Sequence, residues 1–206
     1  TYDHLGRMVG AASQGKQASF TWDRFSKLTS LTNPNGGTQH YAYDPAGRLI
    51  SVQNENGAQI RFAYDEVDRL IQQQDFDGRV RQYRYDAAGN LLEERDDEGR
   101  LIRFEYDAQG RLLRRHLPAT EHAEAFSESY TWSPGGQLLG VKSQDSDVRF
   151  SYDAAGRIVH ELQTLGADWV YGVEHQLDPL GNRESSRYGD APQVNWLLYG
   201  SGHLHG

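Results

Sequence analysis

The chain has 206 residues, a formal net charge of −8 and no cysteine. The absence of cysteine excludes disulfides and thiolate metal sites. The net negative charge argues against nucleic-acid binding, which needs a basic face. No apolar run is long enough to span a membrane. Twenty-three aromatic residues (7 Phe, 12 Tyr and 4 Trp) argue against a disordered chain.

An internal repeat runs through the sequence with a period of about 21 residues. Eight of the ten units begin at an aromatic residue and two begin at Leu, and Asp follows the unit start in eight of the ten. The intervals between unit starts range from 20 to 26 residues. The starts are Tyr2, Trp22, Tyr43, Tyr64, Tyr85, Tyr106, Trp132, Tyr152, Leu177 and, weakly, Leu198.

A tight turn is predicted directly after each unit start. In Asp44-Pro45-Ala46-Gly47, Asp can accept bonds from backbone N–H groups ahead of it, Pro presets φ, and Gly tolerates a positive φ. A basic residue commonly comes next, and we expect it to pair locally with the Asp four residues earlier. The predicted structural motif comprises Tyr43, Asp44, Gly47, Arg48, Tyr64, Asp65, Tyr85, Asp86, Gly89, Tyr106, Asp107, Gly110, Arg111, Tyr152, Asp153, Gly156 and Arg157.

The remainder of each unit reads as a β-hairpin. After the strand that ends at Gln53, the pair Asn56-Gly57 favours a second turn. Ile60, Phe62 and Tyr64 then alternate with other residues at period two, so one strand face is apolar. No segment has a helical period, and the sequence therefore predicts an all-β fold of tandem hairpins.

Two strands per unit give about 18 antiparallel strands, more than an open sheet of about 10 carries without curling. We expect a large curved sheet, a segment of a spiralling β-shell. Extra residues around 118–122 predict a longer surface loop, and four more surround 165–168. We interpret residues 1–206 as a single repeat array from within a longer protein, with degenerate repeats over 177–206.

Other patterns have a possible chemical interpretation, but a structural one is favoured for each. Asp75-Phe76-Asp77-Gly78 resembles part of a calcium loop without the distal Glu. The acidic clusters 93–94 and 96–98 suggest paired carboxylates, although solvated strand ends explain them better. His203 and His205 share a strand face and have no third ligand nearby. We predict no catalytic, cofactor or metal site.

The motif Tyr43-Asp44-Pro45-Ala46-Gly47-Arg48-Leu49, repeated at 152–158, resembles the YD repeats of the Rhs family. In bacterial relatives, such repeats wind into a β-sheet shell around a toxic C-terminal domain, often delivered by type VI secretion. The resemblance implies a non-enzymatic container segment of a secreted or delivered protein. Its partners would be the rest of the shell, the enclosed toxin domain and components of the secretion machinery. The self-cleaving core segment and the toxin domain of complete family members are not found.

Two alternatives remain open from the sequence. The aromatic faces suit a glycan-binding or cell-surface-binding module, although packing against neighbouring hairpins is the favoured explanation. The hypothesis that the chain is an enzyme is supported only by scattered His and carboxylate residues. An open hairpin array also leaves raw edge strands, through which the fragment is expected to self-associate.

Overall fold

The computed structural model describes residues 1–166, 169–196, 198–199 and 203–204. The described residues form twenty β-strands, compared with the expected number of about 18, and no helix, so the predicted all-β fold is confirmed. The chain divides into two compact units, Thr1–Leu101 and Ile102–Gly206. The first contains β1 (Gly10–Ser13), β2 (Lys16–Trp22), β3 (Leu28–Thr32), β4 (Thr38–Tyr43), β5 (Leu49–Gln53), β6 (Gln59–Tyr64), β7 (Leu70–Gln74), β8 (Val80–Tyr85) and β9 (Leu91–Asp96).

The second unit contains the remaining strands, of which β10 begins at the last residue of the first unit. These strands are β10 (Leu101–Tyr106), β11 (Leu112–Leu117), β12 (Phe126–Trp132), β13 (Leu138–Lys142), β14 (Ser146–Tyr152), β15 (Ile158–Leu165), β16 (Trp169–Leu177), β17 (Arg183–Tyr188), β18 (Val194–Asn195), β19 (Leu198–Tyr199) and β20 (His203–Leu204). From β10 to β18 each strand pairs with the next in antiparallel orientation.

Within the first unit, each strand from β1 to β8 likewise pairs antiparallel with its successor. The register shifts by one residue beside the turns that follow Trp22, Tyr43, Tyr64 and Tyr85, so that Ala42 pairs with Ser51 but Tyr43 pairs with Leu49. Ile50 is therefore the extra residue of a β-bulge, a feature that increases local twist.

The two kinds of turn use glycine at positive φ. Gly47 has φ 91° and Gly57 has φ 82°, a region that residues with a Cβ enter at a cost. Gly89 has φ 93°, in agreement with the predicted turn. In two repeats the glycine position of the first turn holds a residue with a side chain, namely Ser26 at φ 62° and Asp68 at φ 68°.

Apolar side chains line one strand face without becoming fully buried. Ile60, Phe62 and Tyr64 are half-buried and alternate with the exposed Arg61 and Ala63 on β6. Among the described residues, no hydrophobic side chain falls in the buried class. Each hairpin therefore depends heavily on hydrogen bonds and on contacts with its neighbours in the chain.

The extra residues of the two longer repeats are accommodated in different ways. Residues 118–125 connect β11 to β12, which agrees with the predicted longer loop. The extra residues near 165 instead lengthen β15 and β16 to 8 and 9 residues. Beyond Leu177 the repeat continues, since Leu177 pairs with Arg183 across the usual register shift.

Candidate functional site: the contacts that join successive hairpins

The Asp of each repeat organises its own turn. Asp65 Oδ1 accepts the backbone N–H groups of Val67 at 3.0 Å and Arg69 at 2.9 Å. Asp65 Oδ2 accepts Arg69 Nε at 2.7 Å. The sequence places an acceptor with two oxygens opposite three donors, and a short turn closes around it.

These donors stabilise the ionised carboxylate. The pKa of Asp65 is lowered, chiefly by the backbone N–H of Arg69, against a smaller opposing effect of desolvation. The pKa of Asp153 is lowered with the same leading cause, the backbone N–H of Arg157. At neutral pH the carboxylates of Asp65 and Asp153 are therefore charged.

The Arg of one turn also reaches the next turn in the chain. Arg69 Nη1 donates to the backbone oxygen of Asp86 at 2.8 Å, and its guanidinium lies 5.0 Å from the centre of the Tyr85 ring. The Tyr85 hydroxyl donates back to the backbone oxygen of Leu70 at 2.8 Å. We name this set of three contacts, two from Arg and one from the aromatic residue, the inter-hairpin clamp.

The clamp recurs at other turns. Arg48 donates to the Asp65 backbone oxygen at 3.0 Å and lies 5.0 Å from the Tyr64 ring, whose hydroxyl donates to the Leu49 oxygen at 2.9 Å. Where Trp replaces Tyr, the indole N–H makes the return bond. These bonds join Trp22 to the Met8 oxygen at 2.7 Å and Trp132 to the Leu112 oxygen at 2.8 Å.

Ser26 and Asp68, the two residues at positive φ in place of Gly, both accept an additional bond from the preceding clamp arginine. Arg48 Nη1 donates to Asp68 Oδ1 at 2.6 Å. Arg7 Nη1 lies 3.3 Å from Ser26 Oγ. The backbone strain of a non-glycine residue is thus partly offset by a contact that glycine cannot make.

Some repeats lack the basic residue. Asn90 follows Gly89, and its side-chain amide donates to Asp86 Oδ2 at 2.8 Å within its own turn. In another repeat Ser133 and Gln137 replace Asp and Arg, and the Gln137 N–H donates to Ser133 Oγ at 3.0 Å while the backbone bonds of the turn are kept. A shorter side chain closes its own turn but lacks the guanidinium that joins one turn to the next.

The predicted motif residues occupy equivalent places in these turns. Asp107 accepts Arg111 Nε at 2.6 Å, and Asp153 accepts Arg157 Nε at 2.7 Å. Tyr152 donates to the Leu138 oxygen at 2.6 Å. Tyr43, Tyr64, Tyr85, Tyr106 and Tyr152 each end a strand, Gly47, Gly89, Gly110 and Gly156 have positive φ, and Arg111 and Arg157 donate to the backbone oxygens of Ser133 and Asp178.

The patterns with a possible chemical interpretation have structural partners. Asp75 accepts Gln73 Nε2 at 2.6 Å and Arg81 Nη2 at 3.0 Å, so both carboxylate oxygens of the calcium-like turn are occupied. Glu93 pairs with Arg84 at 3.0 Å. Three or more His, Asp or Glu residues do not gather into a metal-binding group anywhere in the described part of the chain. His205 lies outside the described residues, so the His203–His205 pair cannot be placed.

A second kind of polar arrangement is not evident from the sequence. Ser186 is fully buried and lies 3.0 Å from His175 Nδ1, while His175 Nε2 lies 3.1 Å from Glu161 Oε1. The Trp196 indole N–H faces Ser186 Oγ at 3.4 Å. These bonds fix the His175 ring on three neighbouring strands. The same arrangement, exposed to solvent, is formed by Glu105, His116 and Ser127.

No helix among the described residues is long and apolar enough to cross a membrane. Comparison with solved structures shows the fold. TcdB2-TccC3 without its hypervariable C-terminal region aligns with a TM-score of 0.76 at 14% identity, over 97% of this chain and 13% of that chain. TcdB2-TccC3-Cdc42 aligns with a TM-score of 0.72 at 15% identity, over 86% of this chain and 10% of that chain.

Sequence comparison identifies related repeats in part of the chain. Toxin protein Tse5 of Pseudomonas aeruginosa strain PAO1 is 52% identical over 90 residues, which are 44% of this chain and 7% of that protein. The RHS Repeat family matches three overlapping segments, residues 43–80, 64–101 and 85–122. These segments contain the aromatic-Asp turns of Asp44, Asp65, Asp86 and Asp107. The resemblance to the YD repeats of the Rhs family is therefore confirmed for residues 43–122, which match the RHS Repeat model.

Proposed function

We propose that this chain is a non-enzymatic wall segment of a β-shell that encloses a C-terminal toxin domain. The observation that carries the proposal is the inter-hairpin clamp, in which Arg69 joins its own turn to the next one through Asp86 and Tyr85. Because the same contact recurs between successive hairpins, further repeats can be added to the sheet in the same way. It does not concentrate reactive groups at one place.

The comparisons support the proposal at the level of the class of protein. One relative is named a toxin protein, and two structures of similar fold are TcdB2-TccC3 assemblies. We infer that the parent protein is secreted or delivered by a bacterium. Its partners in this role are the remaining repeats of the shell, the enclosed domain and components of a secretion machinery such as type VI.

Limited proteolysis of the full-length protein tests enclosure. The C-terminal domain should resist a protease while the shell is intact and become sensitive when the clamp is removed by Arg48→Ala and Arg69→Ala together. Arg79→Ala and Arg149→Ala, which remove exposed ion pairs with Asp77 and Asp147, form the matched control. Rapid digestion of the C-terminal domain in the unmodified protein would refute the container role.

The edge strand β1 supplies a second expectation about partners. Ala11, Ala12 and Ser13 are exposed, and β1 pairs with β2 on one side. We expect the isolated chain to add strands there from another copy, because edge strands present unpaired backbone groups. Light scattering over a range of concentrations should show self-association, and Ala12→Pro should reduce it.

The alternative role, a glycan-binding or cell-surface-binding module, assigns the aromatic face to ligands. The Tyr64 and Tyr85 rings both face an arginine and use their hydroxyls within the clamp, which favours the structural role. Binding of the isolated chain to an array of immobilised glycans, lost in Tyr64→Ala and Tyr85→Ala variants that remain folded, would favour the alternative.

A further inference from the structure

One second turn differs from its neighbours in carrying an exposed aromatic ring. The residue after the first turn position is Pro34, Glu55 or Asp97 in the other regular units of the first half, and it is Phe76 in this one. Phe76 is 43% exposed. The clamp makes no use of this ring, and the repeat pattern does not require it.

Phe76 borders a surface depression of about 430 Å³ between two turns that contain Gly57 and Gly78. Its floor is formed by β6 and β7, where Arg61 pairs in register with Gln74. A volume of this size falls within the range of about 300–1,000 Å³ that is usual for small-molecule sites.

The polar side chains of the depression retain unused hydrogen-bonding groups. Arg61 donates through Nε and Nη2 to Gln59 Oε1 at 3.2 and 3.0 Å, which leaves Arg61 Nη1 and Gln59 Nε2 as donors. Gln74 donates through Nε2 to the Gly78 oxygen at 3.3 Å and keeps its own oxygen as an acceptor.

The charge of the depression comes from Arg61. This guanidinium forms no ion pair with a carboxylate in the described part of the chain, whereas the nearby Arg79 and Arg81 pair with Asp77 and Asp75. Asp75, which also lines the depression, therefore has a cationic partner in Arg81. The depression therefore contains the guanidinium of Arg61 without a carboxylate partner, together with the exposed Phe76 ring and the two glutamine amides.

We propose that this depression binds a pyranose that carries a carboxylate, a sugar of the uronic acid class. The planar guanidinium of Arg61 matches a carboxylate. The Phe76 ring offers an apolar face to the C–H groups of the sugar, and the amides of Gln59 and Gln74 complement its hydroxyl groups. A neutral sugar leaves Arg61 unpaired. This site is independent of the shell role, because the clamp uses none of its residues.

Titration of the full-length chain with methyl β-D-glucuronide tests the proposal by saturation-transfer NMR and calorimetry. We expect saturable binding with a Kd on the order of 1 mM, in keeping with the small size of the ligand. Methyl β-D-glucoside, which has the same ring without the carboxylate, should bind at least about fivefold more weakly, since it cannot pair with the guanidinium.

Variants assign the binding to the depression. Phe76→Ala and Arg61→Gln should each weaken binding about tenfold or more. Phe25→Ala and Arg79→Gln change another exposed ring and another exposed arginine, both outside the depression, and should leave binding unchanged. Far-UV circular dichroism establishes that all four variants are folded. Absence of saturable binding, equal affinity for the glucoside, or equal losses in the control variants would overturn the proposal.

Discussion

The Tyr85 hydroxyl donates to the backbone oxygen of Leu70 at 2.8 Å, across the interval that separates one hairpin from the next. The guanidinium of Arg69 lies over the face of the same ring, 5.0 Å from its centre. The repeat aromatic residue is thus a polar connector as well as an apolar surface. Its role explains why Tyr and Trp, which can donate a hydrogen bond, occupy the unit starts of the regular repeats.

The return bond of the clamp is tested by Tyr85→Phe. The substitution keeps the ring and removes the donor, and it should destabilise the chain by about 0.5–1.5 kcal/mol, as expected for one hydrogen bond. Urea denaturation followed by circular dichroism measures the change. Tyr41→Phe is the control, because the Tyr41 hydroxyl bonds only to Gln39 on its own strand, and it should have a smaller effect. Equal losses in both variants would contradict the clamp.

Gly89→Val tests the conformation of the turn. At φ 93° a β-branched residue is strained, so the variant should lose about 1–3 kcal/mol of stability. Ala88→Val places the same side chain one residue earlier, at an exposed position without a positive φ, and should change stability little. An unchanged denaturation midpoint for Gly89→Val would contradict the turn geometry.

Ser133→Asp combined with Gln137→Arg should restore the clamp where the chain lacks it. The new guanidinium can reach the Asp153 backbone oxygen and the Tyr152 ring, as Arg111 reaches the Ser133 oxygen and the Trp132 ring. We expect a gain of about 1 kcal/mol and a favourable coupling of about 0.5 kcal/mol between the two substitutions. Gln137→Lys, with charge but no fork of donors, should give less. Purely additive changes in a double-mutant cycle would show that no clamp forms.

The turn carboxylates predict an acid-sensitive array. The pKa values of Asp65, Asp86 and Asp153 are lowered in the folded chain by hydrogen bonds from their turns. The unfolded chain therefore binds more protons below its Asp pKa of about 3.9. Stability should be constant from pH 7 to about pH 5 and fall as the pH drops further.

Urea midpoints measured between pH 7 and pH 2 check this dependence. Asp65→Asn should reduce the slope below pH 4, because one linked group is removed. A stability that rises with acidification over this range would show that the turn carboxylates are not linked to folding in this way.

The hairpins could be predicted from the sequence, because the repeat period and the strand alternation are both local patterns. The 21-residue interval sets the unit, and alternation such as Ile60, Phe62, Tyr64 sets the strand. The pairing of Asp44 with Arg48 also follows from a four-residue spacing. These features depend on contacts within one turn or one strand, where the residue types alone determine the geometry.

The contacts between successive hairpins could not be predicted from the sequence, because they depend on strand register. Each clamp joins residues that are 15 to 17 positions apart in the regular repeats, and the bulge sets which groups meet. A signal for the bulge is present in the paired apolar residues Leu49-Ile50 and Leu70-Ile71, since a strict alternation would place one of each pair on the polar face. The arrangement of Glu161, His175 and Ser186 spans three strands and leaves no such local signal.

The clamp always runs from one turn to the following one, and this direction makes the units interchangeable. Excision of residues 64–84 would bring Arg48 to Tyr85 and Asp86, which are the same types of partner that it now has in Tyr64 and Asp65. A shortened chain of this kind should keep its β circular dichroism spectrum, and loss of that spectrum would show that the units are not equivalent. Unequal recombination within the gene can therefore shorten or lengthen such an array by whole repeats without leaving a mismatched joint.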